Sequence, residues 1–132
     1  MAKKILAVDD DPVMLGFVRD VLYTNGHDAI CALGGREAIN LLTRQTFDCV
    51  ILDFRMPGKD GIDVAASMFQ REDKTPVIVF SSKVQEHEAA AIQGLANVRE
   101  FLKKPCSEET LLETVEKATT KGKRQKIVTF NP

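Results

Sequence analysis

The chain has 132 residues, 44% of them hydrophobic, and a formal net charge of -1, which suits one domain with a sizeable core. The balanced charge gives no reason to expect a nucleic acid or a membrane surface as partner, and no apolar run is long enough to span a membrane. Cys31, Cys49 and Cys106 lack metal-site spacing and the first residues do not form a signal peptide, so we expect a cytoplasmic protein.

The hydrophobic pattern predicts five strands that alternate with five helices. The predicted strands are short apolar runs at residues 4–8, 28–33, 48–53, 77–80 and 98–102. The predicted helices carry apolar side chains at helical spacing. They start at Asp11-Pro12, Gly34-Gly35, Asp60-Gly61 and Ser107, with a less regular fourth helix over Val84–Gln93 that Gly94 closes.

Capping residues and apolar spacing define these helices. Asp11 accepts hydrogen bonds from free amides, and Pro12 needs no such bond at the first helical position. Ser107 should cap the last helix in the same way. In the third helix the spacing places Phe69 among the buried residues. The strict alternation of elements predicts an α/β fold, a doubly wound parallel sheet with helices on both faces.

Polar residues of complementary chemistry end four of the predicted strands: Asp9 and Asp10, Asp53, Ser81 and Lys104. The carboxyl ends of parallel strands share one edge of the sheet, so these groups should converge there. A carboxylate cluster calls for a cation, and hard oxygen ligands suit Mg²⁺. A lysine and a hydroxyl beside it would bind phosphoryl oxygens, which together describes phosphoryl transfer to an aspartate. Taken singly, each residue also fits a turn former, a helix cap or a surface lysine.

Four motifs follow one another along the chain: residues 5–12 (ILAVDDDP), 52–58 (LDFRMPG) with Asp60-Gly61, 76–82 (PVIVFSS) and 101–105 (FLKKP). In these motifs the chain resembles the CheY-like receiver domains of two-component response regulators. Four ordered motifs over nearly the whole chain make the resemblance specific. It implies a five-stranded, flavodoxin-like three-layer sandwich with strand order 2-1-3-4-5.

The resemblance also implies the roles of the site residues. Asp53 is the phosphoacceptor; Asp10 and Asp53 hold Mg²⁺ together with the backbone carbonyl of Arg55, while Asp9 acts mostly through water. Lys104 pairs with the phosphoryl oxygens. The implied donor is a sensor histidine kinase or a histidine phosphotransfer protein, and the implied target is a downstream output protein or domain.

Two further positions correspond to the family's conformational switch. Ser81 stands where the family has its switching Thr or Ser, and Phe101 stands where it has an aromatic residue that moves with it. Phe101 lacks the hydroxyl of the common tyrosine, so a switch here must rest on packing. Gly94 lies farther from Phe101 than the family's usual Gly-Ala spacing, which leaves the geometry of the output surface open.

Two other functions remain open at this stage. A haloacid-dehalogenase-like phosphatase also uses an aspartate and Mg²⁺, but it requires a second acid two residues after the nucleophile, where this chain has Arg55. An interaction module that works without phosphorylation would not need the full acidic and basic set. We therefore expect a phosphoacceptor signalling domain rather than an enzyme acting on other substrates.

The expected domain organisation is a receiver domain over residues 1–120 and a tail over residues 121–132. The tail begins with the basic run KGKRQK. Such a run fits either a patch for an acidic partner or a linker, and we favour the linker. Binding of nucleic acid by this chain alone is not expected, and neither His27 nor His87 is assigned a phosphotransfer role.

Overall fold

A computed structural model of the chain describes residues 2–54, 56 and 60–120. The predicted tail at 121–132 and the Arg55 carbonyl therefore lie outside the described residues. The described part contains five strands and five helices in strict alternation. The strands are β1 Lys4–Val8, β2 Asp28–Ala32, β3 Cys49–Leu52, β4 Val77–Ser81 and β5 Val98–Lys103. The helices are α1 Pro12–Thr24, α2 Gly35–Arg44, α3 Gly61–Gln70, α4 Glu86–Leu95 and α5 Glu108–Thr119.

The strands form one sheet in the order β2-β1-β3-β4-β5, and every neighbouring pair is parallel. Both the predicted doubly wound fold and the strand order implied by the resemblance are confirmed. Within the described residues, none of the helices has the length and apolar character needed to cross a membrane.

The core consists of two apolar layers on opposite faces of the sheet. Along β3, the side chains of Val50 and Leu52 enter the layer formed with α2, α3 and α4, which we call the α2–α4 layer. Cys49 and Ile51 enter the layer formed with α1 and α5, the α1/α5 layer. This alternation explains why β3 is a continuous apolar run: each of its four residues is buried, on one face or the other.

The expected helix caps at Asp11 and Ser107 are confirmed. The Val13 N–H donates to Asp11 Oδ1 over 2.9 Å, and the Thr110 N–H donates to Ser107 Oγ over 3.1 Å. These caps fix where α1 and α5 leave the carboxyl edge of the sheet, which is the edge that carries the candidate site.

Helix α4 differs from its prediction at both ends. It begins at Glu86 rather than at Val84, because Glu88 Oε1 accepts the Gln85 N–H over 2.9 Å and closes a capping box there. Val84 is buried, but it precedes the helix. Gly94 lies inside the helix instead of closing it, since the Ala96 N–H still donates to the Ile92 carbonyl.

Two apolar residues are more exposed than the sequence pattern indicated. Phe69 was expected in the core, but it is 58% exposed, because the buried stripe of α3 is centred on Val64, Ala65 and Met68 and leaves Phe69 at its margin. Strand β2 ends at Ala32 rather than at Leu33, whose N–H donates to Glu37 Oε1 over 2.9 Å instead of continuing the sheet.

Candidate functional site

Strand register brings the predicted site residues to one edge of the sheet. Val8 of β1 is the register partner of Leu52 of β3, so the residues that follow them, Asp9 and Asp53, leave the sheet side by side. The Asp53 N–H still donates to the Val8 carbonyl over 2.9 Å, which holds the start of the loop in the plane of the sheet.

The carboxylates of Asp9, Asp10 and Asp53 form a cluster at this edge. One oxygen from each lies within 4.8 Å of the others. Asp9 and Asp53 are buried, with 3% and 6% of their surface exposed, whereas Asp10 is exposed. Asp11, the third acid of the run, caps α1 instead, and its N–H donates to Asp9 Oδ1 over 3.0 Å. The acidic run is thereby divided: Asp11 has a structural role, and Asp9 and Asp10 join Asp53 in the cluster.

Lys104 supplies a positive charge next to these acids. Its Nζ lies 2.6 Å from Asp9 Oδ2 and 3.6 Å from Asp53 Oδ1. The ammonium group also lies over the Phe80 ring, 5.5 Å from its centroid, in the range of a cation–π contact. The Lys104 N–H donates to the Ser81 carbonyl over 3.0 Å, which ties the end of β5 to the end of β4. The lysine is therefore anchored at its backbone and paired most closely with Asp9.

The electrostatics of the cluster are unfavourable for Asp53 as an anion. The pKa of Asp53 is raised from 3.8 to about 6, mainly by burial and then by the nearby Asp9 and Asp10 charges, while the Lys104 charge acts in the opposite direction. Lys104 by itself thus does not balance the clustered acids. A divalent cation would relieve this repulsion, and a set of carboxylate oxygens partly open to water suits Mg²⁺. The residues present fit the predicted metal.

The two candidate switch residues lie on the same face of the sheet. Ser81 ends β4, is 7% exposed, and its hydroxyl donates to the Lys83 carbonyl over 3.3 Å. Val79, two residues earlier on β4, is the register partner of Phe101 on β5. Because side chains two apart on a strand share a face, Ser81 and Phe101 both belong to the α2–α4 side. Phe101 is half-buried against that layer.

A family profile described as response regulator receiver domain matches residues 5–116. The chain belongs to this family. It is therefore a receiver domain of two-component systems, a signalling domain, and its fold, strand order and acidic edge agree with that identity.

Several known proteins are similar to this receiver domain. The response regulator MprA of Mycolicibacterium vanbaalenii is 35% identical over 113 residues, which cover 85% of this chain and 48% of the relative. The chain thus spans about half the length of that curated relative. The Vibrio cholerae chemotaxis protein CheY4 is 28% identical, with a TM-score of 0.81 and coverage of 89% of this chain and 99% of that one.

A third similar structure carries a metal. It is the receiver domain of the sensor histidine kinase PA1611 from Pseudomonas aeruginosa, described with a magnesium ion coordinated in its active-site cleft. It is 21% identical to this chain, with a TM-score of 0.80 and coverage of 90% of this chain and 98% of that one. At 21% identity, this similarity concerns the fold alone.

The structure adds two residues to the receiver site that the sequence pattern did not assign to it. Phe80 was taken as part of a core strand, yet its ring contacts the Lys104 ammonium group. Gly61 was taken only as the opening of α3, yet its N–H donates to the Phe54 carbonyl over 2.9 Å, directly after Asp53. The Asp60-Gly61 pair predicted the start of the helix from the sequence. The contact between Gly61 and Phe54 could not be predicted in this way, because it depends on how the chain folds.

Proposed function

We propose that this receiver domain accepts a phosphoryl group onto Asp53 in a Mg²⁺-dependent reaction. The proposed donor is a phosphohistidine on a sensor histidine kinase or a histidine phosphotransfer protein. One observation carries the proposal: a buried carboxylate at the end of a central strand, with a lysine ammonium group 3.6 Å away and two further acids beside it. Few other functions use that combination.

In the proposed reaction, a carboxylate oxygen of Asp53 attacks phosphorus and forms an acyl phosphate. The bond from phosphorus to the donor nitrogen breaks, and its electron pair stays on the imidazole. Lys104 is close enough to Asp53 to pair with the transferred phosphoryl oxygens, which it would do in exchange for part of its contact with Asp9.

Asp10 and Asp53 are the proposed direct metal ligands, together with the backbone carbonyl of Arg55, which lies outside the described residues. Asp9 is proposed to act through water, and its 2.6 Å contact with Lys104 gives it the second task of holding the lysine. When bound, Mg²⁺ would supply neutralisation of the charge on the transferring phosphoryl group. The PA1611 receiver domain, which shares this fold, is described with a magnesium ion in its active-site cleft, and the proposed metal agrees with that description.

Ser81 and Phe101 are the proposed switch. The bond from the Ser81 hydroxyl to the Lys83 carbonyl is long, at 3.3 Å, so exchanging it for a phosphoryl oxygen costs little. Movement of Ser81 would change the space open to the half-buried Phe101 ring on the same face. Phosphorylation would then bias an existing equilibrium between two packings.

The output of the switch is proposed to be a downstream protein or domain. Because the chain spans 48% of the MprA relative, the activity of the whole protein also belongs to the proposal. The division into a receiver domain at 1–120 and a linker at 121–132, and a cytoplasmic location, are part of it as well. Nucleic-acid binding by this chain alone is not proposed.

Acetyl phosphate provides a direct test of the phosphoacceptor. With Mg²⁺ present, intact mass should show the gain of one phosphoryl group in the parent and in Asp28→Asn, a matched change of an exposed aspartate at the opposite edge of the sheet. Asp53→Asn should gain none, and the parent should gain none in EDTA. Full labelling of Asp53→Asn would refute the assignment, and turnover of a simple phosphomonoester would favour the phosphatase.

The switch has a separate readout. Beryllofluoride, which mimics a phosphoryl group on aspartate, should shift amide NMR signals around Asp53 and also along residues 81–104. In Ser81→Ala the signals near Asp53 should still shift, whereas those around Phe101 should not. Shifts confined to the neighbourhood of Asp53 in the parent would count against a propagated change.

A further inference from the structure

Gly61 meets the phosphoacceptor loop through backbone atoms. It is the first residue of α3 and is buried. A Cβ atom built at this position would lie 2.9 Å from the Phe54 Cα, 3.0 Å from the Phe54 carbonyl oxygen and 3.1 Å from the Asp53 carbonyl oxygen. The carbon–carbon separation is well below the ~3.5 Å at which carbon atoms reach favourable contact, and the two separations from carbonyl oxygens are also tighter than ordinary contacts of a Cβ atom. Since the neighbours are main-chain atoms, no side-chain rotation can make room.

The backbone angles of Gly61 do not explain the glycine. The positive-φ glycine in the described part of the chain is Gly26, at 85°, so an alanine at position 61 would meet no left-handed strain. What requires glycine at 61 is the close approach of α3 to the chain that follows β3. The hydrogen bond from the Gly61 N–H to the Phe54 carbonyl, at 2.9 Å, holds that approach in place.

Side-chain hydrogen bonds and packing both fix the start of α3. Asp60 Oδ1 accepts hydrogen bonds from the N–H groups of Ile62 and Asp63, and Asp63 Oδ2 accepts one from the Asp60 N–H over 2.9 Å. Below this capping box, α3 is buried in the core. Because the helix start is held in this way, a side chain at position 61 would push against the Asp53–Phe54 backbone.

The size of that displacement matters at the site. Relieving a 2.9 Å contact to an ordinary separation needs a shift of about 0.6 Å. Catalytic groups need to be held within about 0.5 Å of their working geometry. The backbone that must move includes the carbonyl of Asp53, whose carboxylate lies 3.6 Å from the Lys104 ammonium group and belongs to the acidic cluster that would bind metal.

We propose that Gly61 is a positioning residue for phosphoryl transfer: the missing side chain lets α3 press on the Asp53–Phe54 backbone and aim the Asp53 carboxylate. This inference rests on the proposed function of Asp53. It gives Gly61 a role that is separate from starting a helix, which many other residues could do.

The test compares three variants. Gly61→Ala adds the Cβ against the loop. Gly94→Ala adds the same atom inside α4, where nothing lies within 4 Å. Asp63→Ala weakens the capping box of α3 without adding an atom near Asp53. Each variant is compared with the parent by amide NMR for folding, by calorimetric titration with Mg²⁺, and by the initial rate of labelling with acetyl phosphate at saturating Mg²⁺.

Gly61→Ala should fold, bind Mg²⁺ more weakly and be labelled about tenfold or more slowly, as expected when a reacting group is misplaced by a fraction of an ångström. Gly94→Ala and Asp63→Ala should match the parent in both measurements, although Asp63→Ala should unfold at a lower urea concentration. A purely structural role would instead make Asp63→Ala and Gly61→Ala alike.

Parent-like Mg²⁺ affinity and labelling in folded Gly61→Ala would overturn the inference. If Gly61→Ala folds poorly, the same measurements are made with Gly16→Ala added, which fills open space on α1 and should stabilise that helix. Failure to fold in both backgrounds would also overturn it, because the strain would then belong to the whole fold.

If the parent itself is not labelled, the proposed function fails, and the Mg²⁺ affinities of Gly61→Ala and Gly94→Ala still decide whether Gly61 positions Asp53.

Discussion

The two edges of the sheet treat their ionisable groups in opposite ways. At the carboxyl edge, three acids lie within 4.8 Å of one another, and Lys104 contacts two of them. At the amino edge, individual polar side chains each accept a hydrogen bond from a backbone N–H group near the start of β1. Asp48 Oδ2 accepts the Lys4 N–H over 2.8 Å, and His27 Nδ1 accepts the Lys3 N–H over 3.1 Å.

The comparison shows that the carboxyl edge of the sheet is less stable than its residues would allow, whereas the amino edge is not. The acids at the carboxyl edge would be more stable apart, and under the proposed function their repulsion prepares a site for a cation and a phosphoryl group. The amino edge has no such cluster among the described residues, and its hydrogen bonds stabilise the fold directly. Removing an acid should therefore have opposite effects on stability at the two edges.

The largest effect is expected at Asp53. Its folded pKa is raised from 3.8 to about 6, so its contribution to stability is complete below pH 4 and is lost as pH rises through 6. Asp53→Asn removes this loss. In EDTA at pH 7.5, the free energy of unfolding in urea should be about 2 kcal/mol higher for Asp53→Asn than for the parent. This is somewhat less than the free energy that corresponds to a pKa shift of two units. Near pH 4 the gain should vanish.

Mg²⁺ provides the control for this prediction. It should stabilise the parent at pH 7.5 and leave Asp53→Asn nearly unchanged, since a bound cation offsets the same repulsion. A destabilised Asp53→Asn protein, or a gain of equal size at both pH values, would show that the carboxyl edge is not under electrostatic strain.

A smaller effect of opposite sign is expected at Asp48. Asp48→Ala removes the acceptor of the Lys4 N–H and should lower the free energy of unfolding by about 1 kcal/mol, the net value of one hydrogen bond. Asp20→Ala is the matched control, because Asp20 is 75% exposed and only 3.7 Å from Arg19 in an exposed pair that should contribute little. Equal stability of the two variants in urea would remove the contrast between the edges.

The difference between the edges also explains what could be predicted from the sequence. Asp9, Asp53, Ser81 and Lys104 were predicted together because parallel pairing sends every strand end to the same edge, whatever the side-chain details. The closest partner of Lys104 could not be predicted, because it depends on distances of 2.6 and 3.6 Å between side chains.

The same limit applies to contacts that join distant elements. The role of Gly61 was missed because its contact crosses a loop to Phe54, and hydrophobic periodicity carries no information about backbone approach. The start of α4 was predicted two residues too early, because the apolar Val84 fits the spacing of the buried helix face. The helix begins after Gln85, whose N–H donates to the Glu88 carboxylate.

The smallest effect is a pH dependence at the amino edge, centred on His27. Burial of the ring lowers the pKa of His27 below its usual 6.5, the Lys3 charge lowers it further, and Glu116 acts in the opposite direction. The neutral ring is the form that accepts the Lys3 N–H through Nδ1. Because the folded pKa is depressed, the stability from this contact is present above the unfolded pKa and is lost as pH falls through the folded pKa.

Asp53 masks this loss in the parent, since its own contribution grows over the same range as the pH falls. The measurement therefore uses Asp53→Asn as the background and compares it with Asp53→Asn, His27→Gln by urea unfolding at pH 7.5 and pH 5.5. Glutamine keeps an oxygen that can accept the Lys3 N–H but does not titrate. The histidine protein should lose more stability between the two pH values than the glutamine protein, by a small margin, because the ring is half-exposed and one backbone hydrogen bond depends on it. Equal losses in the two proteins would mean that protonated His27 keeps its place, and that the amino edge is insensitive to charge.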